Sequence, residues 1–338
     1  MPRLFCALLA LLLAACAGDP LSGPLTLQGQ GSFFIGGREV ASETLSTLPA
    51  YAPNGTITVD QMYVRYQLPA EASGQPAVTF VHGCCLTGKT WETTPDGRMG
   101  WDEYFLRRGF PTSVVDQTWR GRSGGDIQAV NAVRLGRAPV TALPTVFAAG
   151  HEAAWAIFRF GREYPQVHPG MRFPLAAQAE FWKQMVPDWL NAQPTPNPTV
   201  PALSQLSQRL GGNVLVSHSQ SGIYPFQTAA LNRAGIAGII SVEPGACPAA
   251  TGDMTPYAGL PILVVWGDYV DEAPRWAPRL KGCRDFVAAA NAAGGKAELL
   301  VLPEAGIRGN SHMLMQDDNS LEIAGMLVAW INRNVTRR

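Results

Sequence analysis

The sequence predicts an α/β fold: a mostly parallel central sheet with helices on both faces, an antiparallel lead-in and one inserted helical cap. Three observations predict it. Short apolar, β-branched runs recur along the chain, segments of helical period lie between them, and one long stretch breaks that alternation. In chain order, the period-two patterns at Gly31 to Gly37 and Thr56 to Leu68 read as the antiparallel lead-in. Buried strands are predicted at Ala77 to Val81, Thr112 to Val115, Asn213 to Val216, Gly238 to Val242, Pro261 to Trp266 and Ala297 to Leu302. Helices are predicted at Trp101 to Arg108, Tyr224 to Ala234, Cys283 to Ala293 and Leu321 to Val335. Residues 125–207, between the strands ending near Asp116 and Ser217, form the cap, with Pro194-Thr195-Pro196-Asn197-Pro198 as its return linker. The cap holds Trp155, Phe158, Phe160, Tyr164, Phe173, Phe181, Trp182 and Trp189. Most of these are expected to pack as core. Trp155, Phe158, Phe181 and Trp182, with His82 from an early strand end, are expected to line an apolar small-molecule pocket.

With 338 residues, 46% hydrophobic content and 26 basic against 26 acidic side chains, residues 18–338 suit one globular domain with its cap. Balanced charge without a basic stripe argues against nucleic acid. At the N-terminus, Met1-Pro2-Arg3 followed by the apolar Leu4 to Ala15 reads as a signal peptide over residues 1–17, too short to span a bilayer comfortably. Leu13-Ala14-Ala15-Cys16 has the form of a lipobox, which would lipidate Cys16, and Ala15-Cys16-Ala17 also fits ordinary cleavage. Either route exports the chain, as a periplasmic protein, a membrane-anchored lipoprotein or a secreted one. A lipid at Cys16 would be its membrane attachment.

Export permits disulfides. Of six cysteines, Cys84, Cys85, Cys247 and Cys283 lie in the mature part, and pairing Cys84 with Cys85 and Cys247 with Cys283 uses every thiol. Adjacent cysteines resist pairing, because their Cα atoms stand about 3.8 Å apart, below the usual range of roughly 4.4 to 6.8 Å. Two small buried hydrophobes account for Cys84 and Cys85 equally well.

The chemistry starts from Val214-Leu215-Val216-Ser217-His218-Ser219-Gln220-Ser221-Gly222, an apolar strand that stops at a serine between small residues. This reads as a nucleophile elbow, in which a strand turns sharply into a helix and crowding demands small neighbours two residues either side. Here both neighbours are serine, so the strict glycine pattern is broken. A serine nucleophile needs a histidine base. Of the five histidines, His312 in Gly309-Asn310-Ser311-His312 lies between the last strand and the last helix, where the order serine, acid, histidine places the base. The acid is open between Glu243, after one strand, and Asp268 or Asp271, after the next. An unpaired Glu243 in its apolar setting would be costly, and a cap arginine is the alternative partner for it. Backbone N–H groups of Gln220 and of the His82-Gly83-Cys84-Cys85 loop are placed to stabilise an oxyanion. Asp116-Gln117-Thr118-Trp119-Arg120-Gly121-Arg122-Ser123 matches part of the supporting turn of such sites.

Two rival motifs overlap these segments. Gly83 to Thr90 matches the phosphate-binding pattern G-x-x-x-x-G-K-[ST], with Asp116 as the magnesium ligand, but Pro95, Asp96 and Gly97 stop the helix that motif requires. His151-Glu152-Ala153-Ala154-Trp155 places Trp155 where the zinc motif needs its second histidine.

Together these residues resemble the α/β-hydrolase fold, and within it the group typified by the bacterial esterase 713. The resemblance covers the catalytic core. It implies a vicinal disulfide at Cys84-Cys85 in the oxyanion hole, Ser219 as nucleophile in the Ser217-to-Gln220 elbow, His312 as base and Glu243 as acid. The implied function is an exported serine hydrolase of carboxylic esters, with Cys84 and Gln220 holding the oxyanion and a small-molecule ester as partner. No metal or cofactor is implied, and a homodimer stays open. The alternative from another class is an idle hydrolase scaffold that binds an apolar ligand or partner under its cap.

Overall fold

The computed structural model describes residues 21–336 apart from 22 and 72. The signal-peptide reading of residues 1–17, with Cys16, lies outside the described residues. The sheet has eight strands: β1 (Leu27–Ser42), β2 (Gly55–Pro69), β3 (Ala77–Val81), β4 (Thr112–Asp116), β5 (Asn213–His218), β6 (Ile236–Val242), β7 (Pro261–Trp266) and β8 (Lys296–Val301). Their order is β1-β2-β4-β3-β5-β6-β7-β8. β1 and β2 form a long antiparallel hairpin, β2 pairs antiparallel with β4, and every later pairing is parallel. Helices are α1 (Trp101–Arg107), α2 (Gln128–Arg134), α3 (His151–Ile157), α4 (Gln178–Trp182), α5 (Thr199–Leu210), α6 (Tyr224–Leu231), α7 (Ala277–Ala292) and α8 (Ser320–Asn334).

The parallel strands are continuous apolar runs because both sheet faces are covered. Strand alternation divides the core. Val78, Phe80, Val214 and Val216 pack with α1 and α8 residues such as Phe105 and Leu327. Val81, Leu215 and Ile239 pack on the other face with Leu203 of α5, Phe226 of α6 and Phe286 of α7.

Two boundaries differ from the sequence reading. α7 begins at Ala277, six residues before Cys283, with Pro278 in its first turn, where a missing N–H leaves no helical bond unmade. Cys283, expected at the start of this helix, is therefore a buried residue in its interior, and it is bonded to Cys247 of the loop after β6. Residues 199–207, placed in the cap by their position, belong to α5, whose Val200, Leu203 and Leu206 are buried against the sheet. The inserted segment before α5 consists of three short helices, 3-10 turns and loops.

Register brings the strand ends level. Val81 pairs with Ser217, His218 with Val242, Val242 with Val265, and Trp266 with Val301. The loops carrying Gly83, Ser219, Glu243 and Gly267 thus leave one edge of the sheet, the carboxyl ends of parallel strands where open α/β sheets place their sites.

Candidate active site

Ser219 directly follows β5 and has φ 56°, a left-handed conformation that a non-glycine residue holds only when its surroundings enforce it. Two glycines allow close approaches at the site, one to Ser219 and one to Glu243. A Cβ on Gly83 would stand 2.8 Å from the Ser219 Cβ, and a Cβ on Gly267 would stand 2.9 Å from Glu243 Oε1. Ser221 stands where the usual pattern has glycine, and its hydroxyl is taken up by the turn, its one proton within reach of the carbonyls of Val81 and His218, 3.0 Å each.

His312 Nε2 lies 2.8 Å from Ser219 Oγ, and His312 Nδ1 lies 2.8 Å from Glu243 Oε2. The carboxylate fixes the tautomer: Nδ1–H donates to Glu243, which leaves Nε2 to accept from the serine hydroxyl. Glu243 and His312 are fully buried, and Ser219 is 7% exposed. Burial pushes the His312 pKa down to about 4, against the opposing hydrogen bond and charge of Glu243. Burial would raise Glu243, but the Arg159 charge, with hydrogen bonds from His312 and Arg159, holds it at about 2.

Arg159 is what the elbow and the acid alone did not reveal. This fully buried arginine comes from the inserted segment just after α3 and grips Glu243 with both forks, Nη1 to Oε2 and Nη2 to Oε1, each 2.6 Å. The Gly267 N–H also donates to Glu243 Oε1. A glutamate in the apolar run Val242-Glu243-Pro244 called for a cation. Its partner was readable only as an arginine between two buried phenylalanines, Phe158 and Phe160. One carboxylate thus contacts both the cap arginine and His312. Asp268 is engaged elsewhere: its carboxylate accepts from the N–H groups of Tyr269 and Gly309 at 2.8 Å each.

The His312 loop is held from three sides. Phe158 carbonyl accepts the His312 N–H at 2.9 Å, His218 Nε2 bonds the His312 carbonyl at 2.9 Å, and the Trp276 ring lies 4.1 Å from the His312 ring centroid. The buried Asp317 carboxylate takes the Ser311 hydroxyl at 2.7 Å and the Asn310 amide at 2.9 Å; burial pushes its pKa up to about 7.

On the opposite side of Ser219, Cys84 and Cys85 form a vicinal disulfide, and Cys85 has φ 62°. Asp188, from the inserted segment, secures this loop to the elbow. Its carboxylate accepts from Cys85 N–H at 3.2 Å and from Gln220 Nε2 at 2.9 Å, and pairs with buried Arg120 at 2.6 Å. Among the described residues, Cys84, Cys85 and Asp188 are the donor group compact enough for a metal ion, but the sulfurs are bonded to each other and the carboxylate is paired. The phosphate-loop reading fails on structure as well. Gly88–Trp91 is one 3-10 turn, and Asp116 is occupied by the Gly88 N–H and by Arg122, at 2.7 Å each.

A pocket of about 350 Å³ opens on Ser219, walled by Cys84, Phe147, Ile157, Leu190, Ile223 and Trp276 among others. The five residues expected to line it do not. Trp155, Phe158 and Phe181 are buried in the aromatic core of the inserted segment, Trp182 stacks on His151 at 4.4 Å, and both ring nitrogens of His82 are bonded, to Gly83 O at 2.9 Å and Gln117 N at 3.0 Å. The pocket takes its apolar wall from smaller side chains that carry no periodic signal.

No family model matches the chain. One solved structure, the atomic-resolution structure of a novel bacterial esterase, shares 63% identity at TM-score 0.91 and covers 93% of this chain and 98% of that one. A curated relative named "Probable secreted lipase phiG", from Fungal sp. (strain ATCC 74256), is 25% identical over 365 aligned residues, spanning 93% of this chain and 96% of its own.

Proposed function

The chain belongs to the α/β-hydrolase superfamily, in the group typified by the bacterial esterase 713, and from that premise we propose that Ser219, His312 and Glu243 are the triad through which this carboxylic ester hydrolase works. The observation that carries the assignment is the unbroken hydrogen-bond chain Ser219–His312–Glu243, with both links at 2.8 Å. Ser219 Oγ attacks the ester carbonyl carbon as His312 Nε2 takes its proton. The oxyanion is met by the N–H groups of Gln220 and Cys84. Collapse of the tetrahedral intermediate expels the alcohol, which leaves with the proton from His312. Water then attacks the acyl-enzyme with His312 again as base, and the acid departs, restoring Ser219. Glu243 stabilises the imidazolium in both halves, and Arg159 keeps Glu243 ionised and in place.

Residues 125–198 form the cap in this reading, supported by their contribution of Phe147, Ile157 and Leu190 to the pocket. Export, with processing before Cys16 or after Ala17, is supported by the apolar N-terminus, by the two disulfides and by the secreted relative. Among the described residues no helix is long and apolar enough to cross a membrane.

The pH profile of kcat/KM tests the mechanism. His312 must be neutral to accept the proton, and its pKa is lowered to about 4. Activity on a p-nitrophenyl ester is therefore expected to hold from neutral pH downward and to fall as pH drops through about 4, with circular dichroism confirming that the fold persists. An acid limb at about 6.5, the ordinary imidazole value, would contradict a desolvated His312 as the base.

A further inference from the structure

The pocket above Ser219 is lined by one carboxylate, Asp188, which is paired with Arg120, and by two guanidinium groups that form no ion pair among the described residues, exposed Arg275 and half-buried Arg279. Arg275 and Arg279 flank Trp276 at the start of α7, and both line the pocket. The other nearby charges are already matched: Arg159 with Glu243, Arg120 with Asp188, and Arg162 with Glu272. Among the described residues, no carboxylate forms an ion pair with Arg275 or Arg279.

Their placement is ordered. The guanidinium carbons of Arg275 and Arg279 lie 5.9 and 5.2 Å from the Trp276 ring centroid, so one indole attracts both cations and holds together charges that would otherwise separate. Arg279 donates Nε to Gly245 O at 2.8 Å and Nη1 to Arg275 O, which leaves Nη2 without a protein acceptor among the described residues. Burial, and then the charge of Arg275, hold Arg279 below the ordinary guanidinium range. An arrangement of unmatched like charges is relieved by an anion. Arg275 also acts on His312, whose pKa its charge lowers, so it stands within electrostatic reach of the reacting atoms. With Phe147 and Ile157, Arg275 borders both this pocket and an adjoining cavity of about 610 Å³.

We propose that the pocket takes an ester bearing a second, ionised carboxylate, either a half-ester of a dicarboxylic acid or an ester of a hydroxy acid, with the carboxylate received by Arg275 and Arg279 while the ester carbonyl lies at Ser219. The proposal rests on the esterase reading and adds the substrate class. A guanidinium fork suits a carboxylate in geometry as well as charge. The neutral remainder of the ester fills the space along Ile157, Leu190 and Ile223.

Two pairs of esters test it. In p-nitrophenyl hydrogen adipate against p-nitrophenyl hexanoate the charge is on the acyl side. In para-acetoxybenzoate against its methyl ester it is on the alcohol side. In at least one pair kcat/KM for the anionic member is expected to exceed that of the neutral member by about 10- to 100-fold at low ionic strength. That ratio should shrink several-fold as salt rises from about 0.01 to 1 M and the screening length contracts. Arg275→Gln and Arg279→Gln should each drive the ratio towards unity. Because the ratio is taken within each variant, a general loss of activity cancels, and the salt series on the unaltered protein needs no variant. Hydrolysis of the neutral members with equal or better kcat/KM in both pairs would overturn the substrate class and leave the esterase reading standing. A preference indifferent to salt and to Arg275→Gln would also overturn it. Failure on all four esters, together with no labelling by a fluorophosphonate, would remove the esterase reading and this inference with it.

Discussion

Ser219→Ala is expected to lower kcat for ester hydrolysis by about a million-fold while leaving the fold intact. Alanine keeps the Cβ that fits beside Gly83 and removes only the hydroxyl that meets His312. The residual rate, about a thousand-fold above water, would come from the oxyanion donors and the pocket. KM should move little, because the lost interaction is made on the reaction path and not in binding. Steady-state hydrolysis of a p-nitrophenyl ester, with urea unfolding as the control for stability, measures both. A variant that retains even a hundredth of the activity would place the nucleophile elsewhere.

Arg159→Met carries the second large effect, and it falls on stability as much as on rate. Arg159 and Glu243 both have fully buried side chains, so removing the cation leaves a carboxylate in the core with only His312 and one N–H to answer it. Breaking a buried pair from one side typically costs about 3–5 kcal/mol. The pH dependence should change in a defined direction. The Arg159 charge helps hold His312 down, so its loss is expected to raise the His312 pKa and move the acid limb of kcat/KM to higher pH. Removing both charges in Arg159→Met with Glu243→Gln should recover much of the stability but not the activity, because the histidine then lacks its ionised partner. Urea denaturation of the two single variants and the double variant measures the coupling. An additive result would show that the pair does not act as a unit.

The sheet was legible because strands buried on both faces must be nearly continuous runs of apolar residues, and Ala77 to Val81 and Pro261 to Trp266 are found with the bounds their sequence predicts. The proposed elbow and the loop of Gly83 and Cys84 were legible for a related reason: each directly follows a strand, and parallel register brings strand ends together, whereas His312 lies in the longer loop between β8 and α8. The acid was not decided by spacing, since Glu243 and Asp268 both follow strands. Three-dimensional placement supports Glu243 in the proposed triad: the Tyr269 and Gly309 amides occupy Asp268 while Glu243 faces His312.

The inserted segment was least legible, because its helices run for only five to seven residues between 3-10 turns and carry no sustained period. Most of the large aromatics there were expected to pack, and they do, but Trp155, Phe158 and Phe181, expected in the pocket wall, belong to that small core as well. Phe160, Phe173 and Phe181 pack edge to face or tilted with centroids 4.2 to 5.6 Å apart. The functional contributions of the segment are a buried cation at Arg159, a buried anion at Asp188 and a carbonyl at Phe158, none of which has a pattern in one dimension.

Intact-mass spectrometry after treatment with a fluorophosphonate tests the central claim most directly, with the unaltered protein and Ser219→Ala compared side by side. The expected result is a single covalent adduct on the unaltered protein and none on the variant, the mark of one serine activated by His312 and Glu243. The absence of an adduct on well-folded protein, or an adduct that survives Ser219→Ala, would contradict the assignment of the triad.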